Sequence, residues 1–366
     1  MSEGAREQAA FKARVDAELS AFVRLETDQL IAIDDQLLPV AEQLLAAVQE
    51  GKRLRAAFCY WGWRAAGQPD SDEMVRAAAA MELIHAAAVV HDDIIDDSAT
   101  RRGSPTAQVA LREAGVGRAG RTGHAGHAGR TGRAGRPAVG RALAMLVGDL
   151  LLSWAGQLFA CCGLPAAYLA RARPLWATLA RELVAGECLE ILRAGSRPDT
   201  GSSLQIVRYK TAKYTVEHPL QIGGRLAGAA PALMDAYSAY GLPLGEAFQL
   251  RDDLLGIFGN PGDTGKSNLD DLVGDKPTAL LAVTLPAASA AERRQLRTLL
   301  GRRRLDQQGL ERVREIMERV GAPARVEALI AERVQAATAA LARAELPPPA
   351  ARALSHLVVA ATVRHS

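Results

Sequence analysis

Apolar residues recur at intervals of three and four positions along most of the chain, which is the spacing of an amphipathic α-helix. In residues 5–49, Phe11, Val15 and Leu19 mark one such apolar face. The same spacing predicts helices over residues 74–97, 139–160, 168–192, 204–226 and 231–258, with several more from Pro277 to the C-terminus. Clusters of β-branched residues bounded by turn residues are scarce, so we predict an all-α protein.

A run of 21 residues, 150–170, carries no charge and is long enough to cross a bilayer as a helix. Gln157, Gly163 and Pro165 interrupt this run. Because glycine and proline break helices, we predict a buried helix with a break near Gly163 and no membrane span.

Residues 117–137 depart from the helical pattern, because glycine occupies every third position through seven triplets. Seven triplets with one proline are too few for a collagen triple helix. We predict a disordered Gly/Arg/His-rich low-complexity insert loop over residues 115–138. Since a longer loop costs little stability, the chain as a whole, residues 1–366, is predicted to form a single domain.

The formal net charge of +3 is small, and five arginines of the insert contribute to it. The charge therefore gives no indication of a nucleic-acid partner. The four cysteines show no CxxC spacing, and the N-terminus lacks the basic-then-apolar pattern of a signal peptide. We predict a protein of the reducing cytoplasm.

The strongest chemical signal is the acidic run DDIIDD at residues 92–97. On a helix, Asp92 and Asp96 lie one turn apart on the same face, with Cβ atoms roughly 5–6 Å apart. Four carboxylates so close together repel one another unless a cation compensates them. Mg²⁺ binds a few carboxylate oxygens together with phosphate oxygens, so the run predicts a Mg²⁺ site for a diphosphate. The alternative is an exposed acidic helix end.

A second acidic pair, Asp252 and Asp253, follows another apolar helical run about 160 residues later. If the two helices face each other, both pairs can hold several Mg²⁺ ions around one diphosphate and activate it as a leaving group. The alternative for this pair alone is a helix surface position with a salt bridge to Arg251.

Basic residues alternate with the acidic motifs along the chain. They are Lys52 and Arg55 in the segment GKRLR, then Arg101 and Arg102, Lys210, Lys266 and Lys276. Lysine offers phosphate a point charge, and arginine offers it a planar fork of donors. The order basic, acidic, basic, acidic, basic predicts two anionic ligands that share a metal cluster.

From about Gly51 to Thr278 the chain resembles the trans-isoprenyl diphosphate synthases, or polyprenyl synthetases, of the farnesyl and geranylgeranyl diphosphate synthase type. The resemblance rests on the segments GKRLR, ELIHAAAVVHDDIIDDSATRRGSPT, GDLL, YKTAKYT, FQLRDD and TGK, which occur in the family's order. It implies one large all-α bundle around a central cavity, usually a homodimer. It also implies a prenyltransferase that uses Mg²⁺, as three ions, to condense isopentenyl diphosphate with an allylic diphosphate.

The resemblance assigns roles to matching residues. As metal ligands it implies Asp92, Asp96 and Asp252, with Asp93 and Asp253 supporting. For isopentenyl diphosphate it implies Lys52, Arg55, His85 and Arg102. For the allylic diphosphate it implies Arg101, Lys210, Thr211, Gln249 and Lys266, with Lys276 assisting.

Two segments depart from the family's pattern. The second aspartate motif usually reads DDxxD, but Gly256 occupies the fifth position, which leaves one carboxylate missing. The segment GECLE at residues 186–190 has glutamate where glutamine and aspartate are common. The first aspartate of the second motif is present, and the glutamates of GECLE still offer oxygen ligands, so we expect the chemistry to survive.

The residues before the first aspartate motif bear on product length. Ala87 and Ala88 stand where short-chain members of the family carry bulky aromatic residues, and Met81 and Ile84 further back are candidate stoppers. Small residues at these positions predict a geranylgeranyl (C20) or longer product rather than farnesyl. The alternative is that these alanines pack one helix on another.

Two other functions are compatible with part of the same set of motifs. A class I terpene cyclase also carries an aspartate-rich helix, but it does not need the isopentenyl diphosphate residues Lys52, Arg55, His85 and Arg102. A non-catalytic partner subunit of a heteromeric synthase is suggested by Gly256 and by the insert. Such a subunit is expected to lose the first aspartate motif, which is complete here.

Overall fold

The computed structural model describes residues 3–119, 136–260, 268–301 and 305–363, which are almost entirely helical. Its α-helices are α1 (Glu3–Ile33), α2 (Leu38–Gln49), α3 (Leu54–Ala65), α4 (Asp72–Ile95), α5 (Ala107–Ala119), α6 (Arg136–Ala160), α7 (Ala166–Arg193), α8 (Thr200–Ile206), α9 (His218–Ala227), α10 (Pro231–Phe258), α11 (Asp270–Val273), α12 (Ala279–Ala287), α13 (Ala290–Leu299), α14 (Gln307–Arg319), α15 (Ala322–Arg343) and α16 (Pro348–Thr362). A 3₁₀-helix, Asp35–Leu37, precedes α2, and a π-helix, Val207–Glu217, joins α8 to α9. The described residues form a single small sheet, in which β1 (Thr100–Arg101) pairs with β2 (Ser104–Pro105) in antiparallel register. The prediction of an all-α protein is confirmed.

Helix α4 shows how local sequence sets the helix ends. Its N-cap is Ser71, whose hydroxyl accepts a hydrogen bond from the Met74 N–H, and the first turn is acidic, which suits the helix dipole. The helix ends at Ile95, inside the acidic run, and Asp97 then adopts a positive φ of 54°. The acidic run therefore lies at the C-terminal end of α4, as its sequence predicts.

The described residues divide into two compact units, each with its own buried core. The N-terminal unit contains Ala9–Ala56 and Ser71–Leu164. The C-terminal unit contains the described part of Met1–Gln8, Ala57–Asp70 and Pro165–Ser366.

The core of the N-terminal unit is built around α4, which packs against α6. The four alanines at residues 77–80 are completely buried, and their small side chains allow neighbouring helices to approach closely. Gly148 of α6 lies directly against the His91 ring of α4. Trp154 of α6 meets Phe22 of α1 edge to face, with 6.3 Å between the ring centroids.

The core of the C-terminal unit is built around α10, which packs against the π-helix and α15. Tyr237 and Tyr240 of α10 are buried, and their hydroxyls donate to the carbonyl oxygens of Gly62 and Leu354. Toward the C-terminal end of α10, Leu250 joins an apolar cluster with residues of α12 to α15. This cluster supports the helix end that carries the second aspartate pair.

The predicted helix boundaries agree with the structure at most places. Helix α6 ends at Ala160, Gly163 has a φ of 98°, and α7 begins at Ala166, so the predicted break near Gly163 is confirmed. The helix predicted over residues 204–226 is correct in extent, but its middle is a π-helix. Residues 120–135 of the predicted insert lie outside the described residues, and α5 and α6 extend into the two ends of the predicted loop.

Two helices, α4 and the Pro137–Ala160 part of α6, have the length and apolar composition that a membrane crossing requires. The apolar window of α4 is 72% buried within the protein, and that of α6 is 44% buried. Core helices of soluble proteins meet the same criterion, so two such helices are weak evidence for a membrane span.

Candidate active site

The first aspartate motif is held by Arg101. The Arg101 Nε donates to Asp93 Oδ1 at 2.7 Å, and its Nη2 lies 3.2 Å from Asp92 Oδ2. Burial lowers the pKa of Arg101, but the carboxylates of Asp93, Asp92 and Asp96 outweigh burial and raise that pKa above its ordinary value. Asp93 is buried and Asp92 is partly exposed, so Asp92 is the more accessible of the two to a metal ion.

Asp96 completes this motif at the helix end. Its backbone N–H donates to the Asp92 carbonyl at 2.9 Å, which keeps the two residues one helical turn apart. The chain beyond them is fixed by Gln108, whose Nε2 donates to the carbonyl oxygens of Asp93 and Ser98. Asp92 and Asp96 therefore lie on successive turns, as the sequence predicts.

A tight turn separates two neighbouring arginines. Arg102 and Gly103 have positive φ values of 51° and 75°, and they connect β1 to β2. Arg101 reaches the aspartates, whereas the Arg102 Nη1 donates to the Glu50 carbonyl at 3.1 Å. Burial lowers the pKa of Arg102. The turn thus directs Arg101 to the first aspartate motif and Arg102 to the loop of residues 50–53, here called the Gly51 loop.

The Gly51 loop is held by Arg53, which the sequence did not single out. Arg53 is buried with a φ of 53°, and its Nε donates to Asp16 Oδ1 at 2.6 Å. Its other nitrogens donate to the carbonyl oxygens of Val48 and Glu50. Arg53 and Arg102 therefore share the Glu50 carbonyl as an acceptor, which fixes the loop that carries Lys52.

The other predicted isopentenyl diphosphate residues differ in exposure. Lys52 is exposed, Arg55 is buried at the start of α3, and His85 is partly buried on α4. Near Arg55, the Ala56 N–H donates to Glu82 Oε1 at 2.9 Å, which ties the start of α3 to α4. All of these residues belong to the N-terminal unit.

The predicted chain-length residues lie on α4 and are not equivalent. Ala87 is fully buried and Ile84 is 5% exposed, whereas Ala88 is partly exposed. Met81 is also buried. Of this set, Ala88 is the only residue that is not buried.

In the C-terminal unit, two lysines share a group of carboxylates. Lys210 of the π-helix donates to Glu190 and lies 3.0 Å from Glu187 Oε2, both on α7. Lys276 lies 3.7 Å from Glu190 and 3.6 Å from Asp271. The structure thus brings Lys210 and Lys276 together on one glutamate. Glu187 and Glu190 are the two glutamates of the GECLE segment.

A chain of side-chain hydrogen bonds connects Thr211 to the second aspartate motif. The Thr211 hydroxyl donates to Gln249 Oε1 at 2.7 Å, and the Gln249 Nε2 donates to Asp253 Oδ1 at 2.8 Å. Burial raises the pKa of Asp253 to about 7, although the Gln249 hydrogen bond opposes this shift and Asp271, Asp252 and Glu190 add to it. Asp252 is partly exposed. Asp253 thus faces Gln249, and Asp252 is the more accessible carboxylate of the pair.

Gly256, where the family usually has a third aspartate, faces another carboxylate. A Cβ at Gly256 would lie 3.0 Å from Asp271 Oδ2. Asp271 therefore places a carboxylate close to the position that Gly256 leaves without one. Asp271 was not identified from the sequence, although its place in an acidic pair five residues before Lys276 could have indicated it. Lys266 lies outside the described residues.

Each unit offers ligands that suit Mg²⁺. Asp92 and Asp96 supply carboxylate oxygens at the end of α4, and Asp252, Asp271, Glu187 and Glu190 supply them in the C-terminal unit. Hard oxygen donors of this kind, beside lysines and arginines that bind phosphate, fit a magnesium diphosphate. The fold and these clusters define an all-α protein with acidic and basic sites suited to a metal-bound anionic ligand.

Comparison with known proteins places the chain in a family. The polyprenyl synthetase model matches residues 37–317. The chain belongs to the polyprenyl synthetase family.

Individual relatives agree with this assignment. A farnesyl diphosphate synthase of Mycobacterium tuberculosis is 31% identical over 246 residues, which cover 67% of this chain and 59% of the relative. The chain thus matches about 59% of the length of that relative. A geranylgeranyl diphosphate synthase of the same species is 31% identical over 320 residues, which cover 87% of this chain and 82% of the relative.

A solved structure extends the likeness to the whole fold. The geranylgeranyl pyrophosphate synthase of Corynebacterium glutamicum, complexed with isoprenyl diphosphate and magnesium, is 31% identical and has a TM-score of 0.87. The match covers 97% of this chain and 99% of that chain.

Proposed function

We propose that the protein is a Mg²⁺-dependent prenyltransferase that condenses isopentenyl diphosphate with an allylic diphosphate into a trans-polyprenyl diphosphate. The observation that carries the proposal is the end of α4, where Asp92 and Asp96 lie one turn apart beside Arg101 in a chain of the polyprenyl synthetase family. The relative of known structure that binds isoprenyl diphosphate and magnesium supports the same ligands for this chain.

The chain's own residues bind and orient the allylic substrate. Arg101, Lys210 and Lys276 each contact carboxylates in the structure, and phosphate oxygens are alternative partners for the same donors. The hydroxyl of Thr211 and the amide of Gln249, which are hydrogen-bonded to each other, are further groups for the allylic diphosphate. When bound, Mg²⁺ neutralises the diphosphate and stabilises it as a leaving group, and we propose three ions.

The reaction then needs no side-chain nucleophile. The allylic carbon–oxygen bond breaks and its electron pair leaves with the diphosphate. The isopentenyl double bond supplies the electron pair of the new carbon–carbon bond, and a proton passes from the resulting cation to the released diphosphate. Lys52, Arg55, His85 and Arg102 are proposed to hold the isopentenyl diphosphate during these steps.

We propose a product of C20 or longer. Ala88 is small and partly exposed one turn before Asp92, at the position where short-chain members of the family carry a bulky aromatic residue. Ala87 is fully buried, so packing of this alanine between helices remains the simpler account of it.

We also propose a homodimer. The surface of α6 carries exposed apolar side chains, namely Val139, Met145, Leu146 and Leu152, which are 44% to 51% exposed. A helix face of this composition suits burial against a second copy of the chain. Light scattering of the purified protein measures this directly, and a monomer at micromolar concentration would contradict it.

The decisive experiment is a product assay. The protein is incubated with isopentenyl diphosphate, Mg²⁺ and geranyl or farnesyl diphosphate, and the hydrolysed prenyl alcohols are sized by chromatography. A product of C20 or longer is expected, with Asp92→Ala as the inactive control. Absence of any elongated product would sink the proposal, and a C15 end product would contradict the chain-length part.

The same assay separates the alternatives. A terpene cyclase would convert an allylic diphosphate to a hydrocarbon without isopentenyl diphosphate. A non-catalytic partner subunit would give no product alone but would raise the activity of a second subunit. A cytoplasmic location and a single catalytic domain over residues 1–366 are parts of the same proposal, and cell fractionation tests the location.

A further inference from the structure

The π-helix Val207–Glu217 carries Lys210 and Thr211, two residues of the proposed allylic diphosphate site. π-Helices are rare, and most occur as single turns within α-helices, frequently at functional sites. Their hydrogen bonds run from residue i to i+5, so they present different side chains on one face than an α-helix does. Contacts from neighbouring helices must therefore favour this winding over the α-helical one.

One carboxylate oxygen of α7 receives two hydrogen bonds from the π-helix and its C-terminal cap. The Lys213 Nζ donates to Glu182 Oε2 at 2.9 Å, and the His218 Nε2 lies 2.9 Å from the same oxygen. The backbones of the two donors are also joined, because the His218 N–H donates to the Lys213 carbonyl. Lys213 and His218 are thus linked through the backbone and through Glu182.

Whether Lys213 and His218 can both reach the same Glu182 oxygen depends on whether the segment is wound as an α-helix or as a π-helix. In an α-helix, residue i+5 is displaced from residue i by about 140° around the axis. In a π-helix, where residue i+5 closes the hydrogen bond with residue i, residue i+5 lies much nearer to residue i around the axis, as residue i+4 does in an α-helix. Lys213 and His218 are five residues apart, so both reach one oxygen when the segment is wound as a π-helix. Glu182 therefore selects the π winding.

Lys213 and His218 are both largely shielded from solvent, so water does not readily replace their hydrogen bonds to Glu182. The His218 side chain is 4% exposed, and within the described residues its Nδ1 has no hydrogen-bond partner. Lys213 is 19% exposed, and its second carboxylate, Glu217, lies 3.8 Å away. Burial raises the pKa of Glu182, but the hydrogen bonds from Lys213 and His218 outweigh burial and lower that pKa. Glu182 therefore remains ionised and able to accept both bonds at neutral pH.

Helix α7 contacts the π-helix at three successive turns. Glu182, Gly186 and Glu190 are spaced four residues apart, so they lie on one face of α7. Glu190 binds Lys210, and the backbone of Lys210 packs directly on Gly186. Glu182 holds the C-terminal end of the same π-helix. This face of α7 thus sets both the distance and the winding of the segment.

We propose that Glu182 is a positioning residue for the allylic diphosphate site, because it fixes the π winding that directs Lys210 and Thr211. The inference rests on the proposed function, since Lys210 and Thr211 are substrate residues only if the protein is a prenyltransferase. Without Glu182, the segment relaxes toward α-helical winding, and Lys210 and Thr211 rotate away from Glu187 and Gln249.

The kinetic test compares Glu182→Gln, Lys213→Met and the double variant. Each single variant is expected to raise the KM for the allylic diphosphate about tenfold, with the KM for isopentenyl diphosphate within about twofold of the native value. Because Lys213 acts through Glu182, Lys213→Met is expected to add less than about a further twofold in the Glu182→Gln background. Glu315→Gln, which removes a surface ion pair with Arg312, is the control and should leave both KM values unchanged.

A crystal structure of Glu182→Gln tests the winding independently of activity. The expected result is that the His218 N–H bonds to the Tyr214 carbonyl, four residues back, instead of the Lys213 carbonyl. Retention of the Lys213 bond, or an unchanged allylic KM, would overturn the inference. Equal increases in both KM values together with a lower melting temperature would also overturn it, because they indicate a purely structural role. If the native protein makes no prenyl product, the proposed function fails, while the crystal structure still decides the winding.

Discussion

Gly186 lies where α7 contacts the backbone of the π-helix. Replacing Gly186 with alanine therefore displaces the π-helix that carries residues of the proposed allylic site. A Cβ at Gly186 would lie 2.6 Å from the Lys210 Cα and 2.6 Å from the Tyr209 carbonyl carbon. Both neighbours are backbone atoms, so a side-chain rotation cannot relieve the overlap. The π-helix itself has to move.

The size of that movement follows from ordinary packing distances. Non-bonded carbon atoms pack at about 3.5 Å, so the backbone at Lys210 must shift by about 1 Å. A misplacement of about 1 Å in a group that positions substrate lowers the rate about 100-fold. Overpacking at a tight contact lowers the free energy of unfolding by about 1–3 kcal/mol. We therefore expect a large kinetic defect in a protein that still folds.

The assay measures kcat/KM for the allylic diphosphate and the free energy of unfolding in urea. Gly62→Ala is the matched control, because its Cβ would overlap the backbone carbonyl oxygen of Leu220, between α3 and α9. This control should lose similar stability and keep kcat/KM within about threefold of the native value. Native kcat/KM in Gly186→Ala, or an equal kinetic loss in Gly62→Ala, would refute the reasoning.

Three further predictions address other parts of the proposed site. Ala88→Phe is expected to shorten the main product by at least one five-carbon unit, and an unchanged length by chromatography would remove Ala88 from the cavity wall. Asp93→Asn weakens the hold on Arg101, so the KM for the allylic diphosphate should rise about tenfold while the Mg²⁺ dependence of the rate changes by less than about threefold. Burial raises the pKa of Asp16, but hydrogen bonds from its two basic partners, one of them Arg53, lower it overall. The stabilisation by Asp16 is therefore fully present above pH ~4 and is lost as the pH falls through the lower pKa of the folded state, so Asp16→Asn should cost about 1 kcal/mol at pH 7 and progressively less as the pH falls below ~4 in urea unfolding. A pH-independent difference would contradict that assignment.

The parts of the fold that depend on local sequence were predictable. Helix α4 follows from its apolar spacing, and the acidic run at its end follows from the repeat of Asp92 and Asp96 over one turn. The break at Gly163 follows from the conformations that glycine allows. In these cases, neighbouring residues contain the whole physical cause.

Other features depend on contacts that are distant in sequence. Arg53 looks like its basic neighbours in GKRLR, and one of the hydrogen bonds that make it a structural residue is to Asp16, 37 residues earlier. The π winding depends on Glu182 and Gly186 of another helix. Asp252 and Asp253 look equivalent in sequence, but of the two it is Asp253 that is buried and that accepts a hydrogen bond from Gln249.

The ion pair between Arg101 and the first aspartate motif has a consequence for handling the protein. Because Arg101, Lys210 and Lys276 already offset part of the negative charge around them, the folded chain does not depend on a bound cation to overcome carboxylate repulsion. A structural zinc domain, by contrast, unfolds when a chelator removes its metal. Treatment with EDTA should therefore abolish turnover without lowering the melting temperature, and Mg²⁺ should restore turnover at once, without a refolding step.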